Sequence, residues 1–69
     1  MRDGIEKLLY DKFCELLQKN NGNPRHALDS LDYLIFIKHK DEFCSLSEDE
    51  QMEIRHYIHV LAMIHKVDR

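Results

Sequence analysis

The sequence lacks the features that mark membrane proteins and exported proteins. No apolar run approaches the roughly 18 residues that a membrane-spanning helix requires. Hydrophobic residues make up 43% of the chain and charged residues 33%, a balance typical of a folded domain rather than a disordered one. Residues 1–4 lead directly into an amphipathic pattern, without the apolar core of a signal peptide. We therefore expect a folded cytoplasmic protein that has no membrane partner.

Cysteine is scarce. The sequence contains two cysteines, Cys14 and Cys44, and neither belongs to a C-x-x-C pair. A single disulfide would give a fold little covalent support. Both cysteines also lie beside predicted core positions. We interpret both as reduced, semi-buried small hydrophobes in a reducing cytosol, with a disulfide between them as the less favoured alternative.

An excess of basic residues is also missing. The net charge is −3 and the isoelectric point is about 5.9, whereas a domain that binds phosphate backbones usually has a basic face. A DNA-recognition helix would need basic or amide side chains near its start, but the last predicted helix begins with Glu48, Asp49 and Glu50. We expect no direct nucleic-acid partner. A transcription-linked module that meets DNA only through a partner is kept as an alternative.

Motifs for catalysis are absent as well. The sequence contains no Gly-rich phosphate loop and no G-x-S-x-G. No spacing places a histidine beside either cysteine as a general base. A chain of 69 residues also offers little volume for a pocket of the size that enzymes use. We predict that the protein is not an enzyme and has no cofactor.

Helical periodicity is what the sequence does contain. The first predicted helix, residues 4–20, starts at an Asp3–Glu6 capping box and repeats apolar residues at i, i+3, i+4 spacing until Asn and Gly residues end it. The second, residues 24–40, has Asn23 as its N-cap and Pro24 at the first helical position. Residues 41–46 are predicted to form a connector whose apolar side chains lie beneath the helix junction.

The third predicted helix, residues 48–67, is the element around which the chain is organised. Ser47 and Glu50 form a predicted capping box at its start. Its core face is predicted to contain Ile54, Tyr57, Ile58, Leu61 and His65. Further apolar residues widen that face to roughly half the helix circumference, more than one neighbouring helix needs. The predicted fold is all-α, a small three-helix bundle forming one domain over residues 1–69, and the surplus apolar surface predicts a homodimer.

Aromatic residues on the outer face of the second helix are the strongest sign of a binding surface. Tyr33 and Phe36 lie roughly 140–200° from Leu31 on a helical wheel, and aromatic side chains are enriched at interface cores. The alternative is that the bundle covers this helix on both sides. The residues predicted to contact a partner are Tyr33, Phe36, Ile37, Lys40, Val60, Ile64 and Val67.

A stripe of sulfur and imidazole ligands on the third helix gives a second hypothesis. Met52, His56, His59 and Met63 share its outer face, and such ligands suit copper or another late transition metal. A mononuclear site would still need a further fixed ligand, and the same residues suit a dimer face or a mixed solvent face. The favoured function is therefore a small regulator, adaptor or inhibitor that binds another protein, with metal binding by this stripe as the first alternative.

Overall fold

The computed structural model describes residues 2–68 and the side chains of residues 4–68. The elements are α1 (Arg2–Lys19), α2 (Pro24–Tyr33), a π-helical segment (Leu34–Lys38), α3 (Lys40–Cys44) and α4 (Glu48–Ile64). The described residues contain no strand, which confirms the all-α prediction. The predicted number of three helices is wrong, since these residues form four α-helices. None of the described helices is both long enough and apolar enough to cross a membrane.

Helix α1 supplies one side of the core and ends at a tight turn. Leu9, Phe13 and Leu16 are buried along its inner face. After Lys19 the chain adopts positive φ values, 57° at Asn21 and 77° at Gly22, and the Gly22 N–H donates to the Leu17 carbonyl over 2.7 Å. Such a left-handed end is the conformation that Asn and Gly favour. The predicted Asp3 N-cap is wrong because α1 already begins at Arg2, and the Asp3 side chain lies outside the described residues.

The second helix changes its winding halfway along. The Asn23 side chain caps α2 by accepting from the Arg25 and His26 N–H groups at 3.0 and 3.2 Å. Beyond Tyr33 the chain winds as a π-helix, in which the His39 N–H donates to the Leu34 carbonyl over 2.9 Å. An i→i+5 bond puts more residues into each turn, so each residue rotates by less than 100°. Phe36 therefore lies nearer the core than a regular wheel predicts.

The predicted connector is partly helical. Residues 40–44 form α3, where Phe43 is buried at 6% exposure and its ring meets that of Phe36 edge-on, with centroids 5.0 Å apart. Leu46 packs partly buried against the core, as expected. Cys44 is exposed, so its predicted burial is wrong, whereas Cys14 is half-buried. Both cysteines are free.

Helix α4 crosses the core with a face that differs slightly from the predicted one. Its buried residues are Ile54, Ile58, Leu61 and Ala62. Tyr57 is only half-buried, so the face is turned by roughly 30° towards Ala62 when counted at 100° per residue. The helix also ends earlier, at Ile64: Lys66 has a φ of 56°, and the Val67 N–H donates to the Ala62 carbonyl over 2.8 Å.

The capping box at the start of α4 is present and gives a first prediction. The Glu50 N–H donates to Ser47 Oγ and the Ser47 N–H donates to Glu50 Oε1, each over 3.2 Å. Ser47→Ala should lower the free energy of unfolding by about 1 kcal/mol, because it leaves a helix N–H without its side-chain acceptor. Urea melts provide the measurement. Ser30→Ala removes the same atom from the interior of α2, away from an N-cap, and should cost clearly less; equal losses for the two variants would contradict the capping role.

Candidate protein-interaction surface

An open groove with a volume of about 520 Å³ lies between α4 and the stretch formed by α2 and the π-helical segment. We call it the α2–α4 groove. Tyr33, the last residue of α2, and Phe36 and Ile37 of the π-helical segment form much of one wall. The groove is lined by Asp29, Asp32, Tyr33, Phe36, Ile37, Arg55, Ile58, His59 and Ala62.

The apolar side chains of this groove are presented to solvent. Tyr33 is 53% exposed and Ile37 is 65% exposed, although both are large hydrophobic residues. Phe36 is half-buried: it packs against the core and contacts Phe43, yet it also lines the groove. Ala62 is small and buried at the groove floor, so it leaves room between the two helices. The site therefore combines a buried floor with exposed apolar walls.

Charges of opposite sign lie on the two sides of the α2–α4 groove. Asp29 and Asp32 come from α2, whereas Arg55 and His59 come from α4. The Arg55 guanidinium lies over the Phe43 ring, 5.6 Å from its centroid. Such a cation–π contact restrains a long side chain. The groove thus has an acidic side, an apolar middle and a basic side.

The other residues predicted to contact a partner lie elsewhere. Ile64 is 66% exposed and Val60 is half-buried, and neither lines the α2–α4 groove. Val67 packs half-buried against the core. Lys40 is exposed at the start of α3 and shares a smaller hollow with Ile37. The structure therefore brings Tyr33, Phe36 and Ile37 together in the groove and leaves the other four predicted residues outside it.

Sequence reasoning did not predict Asp29 or Asp32 as site residues on the α2 side of the groove, and on the α4 side it missed Arg55 and Ala62. On a wheel they lie about 60° and 40° from Ile58, on the side away from Tyr57. Their signal in the sequence is a stripe, since Arg55, His59 and Ala62 follow one another at i, i+4, i+7 spacing. The predicted face was centred nearer Tyr57, so this stripe was not recognised as the neighbour of α2.

The proposed metal ligands share an exposed stretch of α4. Met52 and Met63 are 67% and 64% exposed, and both histidines are exposed too. Met52 and His56 line a hollow together with acidic residues, whereas His59 lines the α2–α4 groove. Among the residues that the structure describes, no three His, Cys, Asp or Glu side chains are grouped so as to hold a metal ion.

Comparison of the chain with protein-family models, with curated proteins and with solved structures finds no match.

Proposed function

We propose that this chain is a small, non-enzymatic cytoplasmic regulator, adaptor or inhibitor that acts by binding protein, and that it forms a homodimer through the α2–α4 groove. The observation that carries the proposal is the exposure of Tyr33 and Ile37 beside Phe36 in one groove. Large exposed apolar side chains that are gathered on one surface, with charged residues beside them, are typical of interaction sites.

The charges favour a second copy as the occupant. In a two-fold dimer the same patch meets itself in reversed orientation. When the two-fold axis runs along the groove, the acidic side of one groove, Asp29 and Asp32, faces Arg55 of the other. Each charge contact occurs twice, and the apolar side chains meet at the centre. Opposite charges around an apolar centre set the register of an interface more than its strength.

The size of the protein is compatible with such an interface. A stable interface covers about 800 Å² on each partner. The chain exposes 5192 Å², so the interface requires roughly 15% of its surface. Dimerisation also supports a domain of 69 residues, whose single core contributes little stability.

Exchanging charges across the groove tests this arrangement. Arg55→Asp and Asp32→Arg should each weaken self-association, since each places like charges opposite each other twice per dimer. The two variants mixed together should associate with each other more tightly than either does with itself, because both contacts between positions 55 and 32 are then between opposite charges. Sedimentation velocity of the separate and mixed proteins measures this, with circular dichroism to verify folding.

The mixing step separates contacts between chains from contacts within a chain. A pair inside one chain would be repaired only in the double variant and never by mixing. Arg25→Asp is the matched control, because Arg25 is exposed on α2 and does not line the groove. If mixing gives no gain in association, the proposed two-fold arrangement is wrong.

A further inference from the structure

A second apolar surface lies along α1 and is distinct from the floor of the α2–α4 groove. It consists of two adjoining hollows that share Lys12, Leu34 and Lys38. The first hollow begins at Leu8, which is 71% exposed, and has the buried Leu31 and Phe43 in its floor. The second extends to Leu16 and Lys19. We call the two together the α1 groove.

The dimensions of the α1 groove match a short helix. From Leu8 to Lys19 the groove follows α1 for about 16 Å at 1.5 Å per residue, which is roughly three helical turns. The floor of its first hollow is apolar and Leu8 is exposed on its wall, whereas the second hollow adds Leu16 among polar and charged side chains. An open apolar channel of this length is the kind of surface into which an amphipathic helix lays anchors spaced at i, i+3/i+4, i+7.

Lysines surround the middle of the α1 groove. Lys12 and Lys38 line both hollows and Lys19 lines the second, in a chain whose net charge is −3. Lys12 Nζ lies 2.9 Å from Glu15 and Lys19 Nζ lies 3.9 Å from it. The hydrogen bond and charge of Lys12, followed by the charge of Lys19, lower the pKa of Glu15. These pairs are solvent-exposed, and exposed pairs of this kind contribute little, so a carboxylate from a partner competes with Glu15 at small cost.

Two acidic residues line the α1 groove, each in one hollow only. Glu42 belongs to the first hollow, where it is 3.1 Å from His39 Nδ1, and Asp29 belongs to the second. The stretch shared by the two hollows therefore carries Lys12 and Lys38, and Glu15 lies beside it, paired with Lys12. The π-helical segment forms one wall of this stretch through Leu34 and Lys38, and π-helical turns are frequent at functional sites.

We infer that the α1 groove binds an acidic amphipathic helix of a partner protein, with apolar residues on its floor and carboxylates against Lys12 and Lys38. This inference deepens the proposed function, because it gives the chemistry of the partner; the two grooves meet at Asp29 and Tyr33, which line both. It rests on the proposed role in protein binding but not on the homodimer.

The test uses the full chain and a synthetic three-turn peptide with leucines at i, i+4, i+7 flanked by glutamates. A twin peptide carries lysines in place of the glutamates. Fluorescence anisotropy measures affinity, and amide chemical-shift changes map the site. We expect the acidic peptide to bind more tightly, to shift signals around Leu8, Ile35 and Leu46, and to weaken with added salt. Reversing two charges with Lys12→Glu and Lys38→Glu should raise Kd roughly tenfold or more.

Lys7→Glu is the matched control, since Lys7 is exposed on the same helix and does not line the groove. Equal binding of both peptides, or shifts confined to other surfaces, would overturn the inference. Displacement of the peptide by a medium-chain fatty acid that shifts the same signals more strongly would assign the groove to a lipid instead, and would also overturn it. Sedimentation of the same samples reports the oligomeric state separately. A monomer that binds the peptide in the α1 groove refutes the homodimer and leaves the inference intact.

Discussion

Leu61→Ala is expected to lower the free energy of unfolding by about 2–5 kcal/mol, and Leu31→Ala by a similar amount. Leu61 is 2% exposed and Leu31 is 1% exposed, so each truncation leaves a cavity where α2 and α4 meet the core. A domain of this size holds only about 5–15 kcal/mol in total. Each variant should therefore melt far below the parent, or fail to fold at physiological temperature. Thermal and urea denaturation followed by circular dichroism provide the measurement.

Leu8→Ala is the control for these truncations, because Leu8 is 71% exposed and its loss leaves no internal cavity. Its cost should stay below about 1 kcal/mol. If Leu8→Ala destabilises the protein as much as Leu61→Ala does, the core of the bundle is assigned incorrectly. Melting curves for the two core variants that overlay the parent would lead to the same conclusion.

Ile37→Glu is expected to abolish dimerisation in the micromolar range while leaving the helices intact. Ile37 is 65% exposed in the α2–α4 groove, so the substitution places a charge on the surface of the monomer and inside the proposed interface of the dimer. Because the dimer is two-fold symmetric, the substitution introduces two charges into the interface. A loss of about 2 kcal/mol or more, as at interface hot spots, raises Kd by roughly 30-fold or more. Sedimentation velocity reports the association and circular dichroism the helicity.

The chain contains a closely matched control in Ile64. It is the same residue type, it is 66% exposed, and it lies outside the α2–α4 groove. Ile64→Glu should leave association unchanged. If Ile64→Glu dissociates the dimer and Ile37→Glu does not, the interface lies on the flank of α4 that the apolar pattern also predicted, and the groove is not the contact surface. Phe36 is a poorer test residue, since its ring contacts Phe43 and any charge there also disturbs the core.

Local sequence signals predicted the parts of the fold that depend on a few neighbouring residues. The pair of Ser47 and Glu50 predicted a capping box because its hydrogen bonds span three residues and need no tertiary contact. Asn23 and Pro24 predicted the start of α2 for the same reason. The inward stripe from Ala27 to Leu31 followed from a regular 3.6-residue period, and its residues are buried.

The features of the fold that the sequence did not predict depend on packing between distant segments of the chain. No residue type in Leu34–Lys38 encodes a π-helix, and the contact between Phe36 and Phe43 that accompanies it joins two separate segments. Five residues of α3 are too few to give a recognisable period. The exact rotation of α4 follows from Ala62, whose small side chain lets the helix turn that side towards the core. On the α2 side of the candidate site, Tyr33, Phe36 and Ile37 were predicted from the sequence. Arg55 was missed because its place in the groove depends on the rotation of α4.

Sedimentation equilibrium of the unmodified protein tests the central claim most directly. Samples spanning micromolar to near-millimolar concentration should fit a monomer–dimer equilibrium that approaches twice the 8.3 kDa of one chain. The same experiment with Ile37→Glu should remain at the mass of one chain over the range in which the parent dimerises. A parent protein that stays at 8.3 kDa up to the highest concentration would contradict the homodimer and the role assigned to the α2–α4 groove.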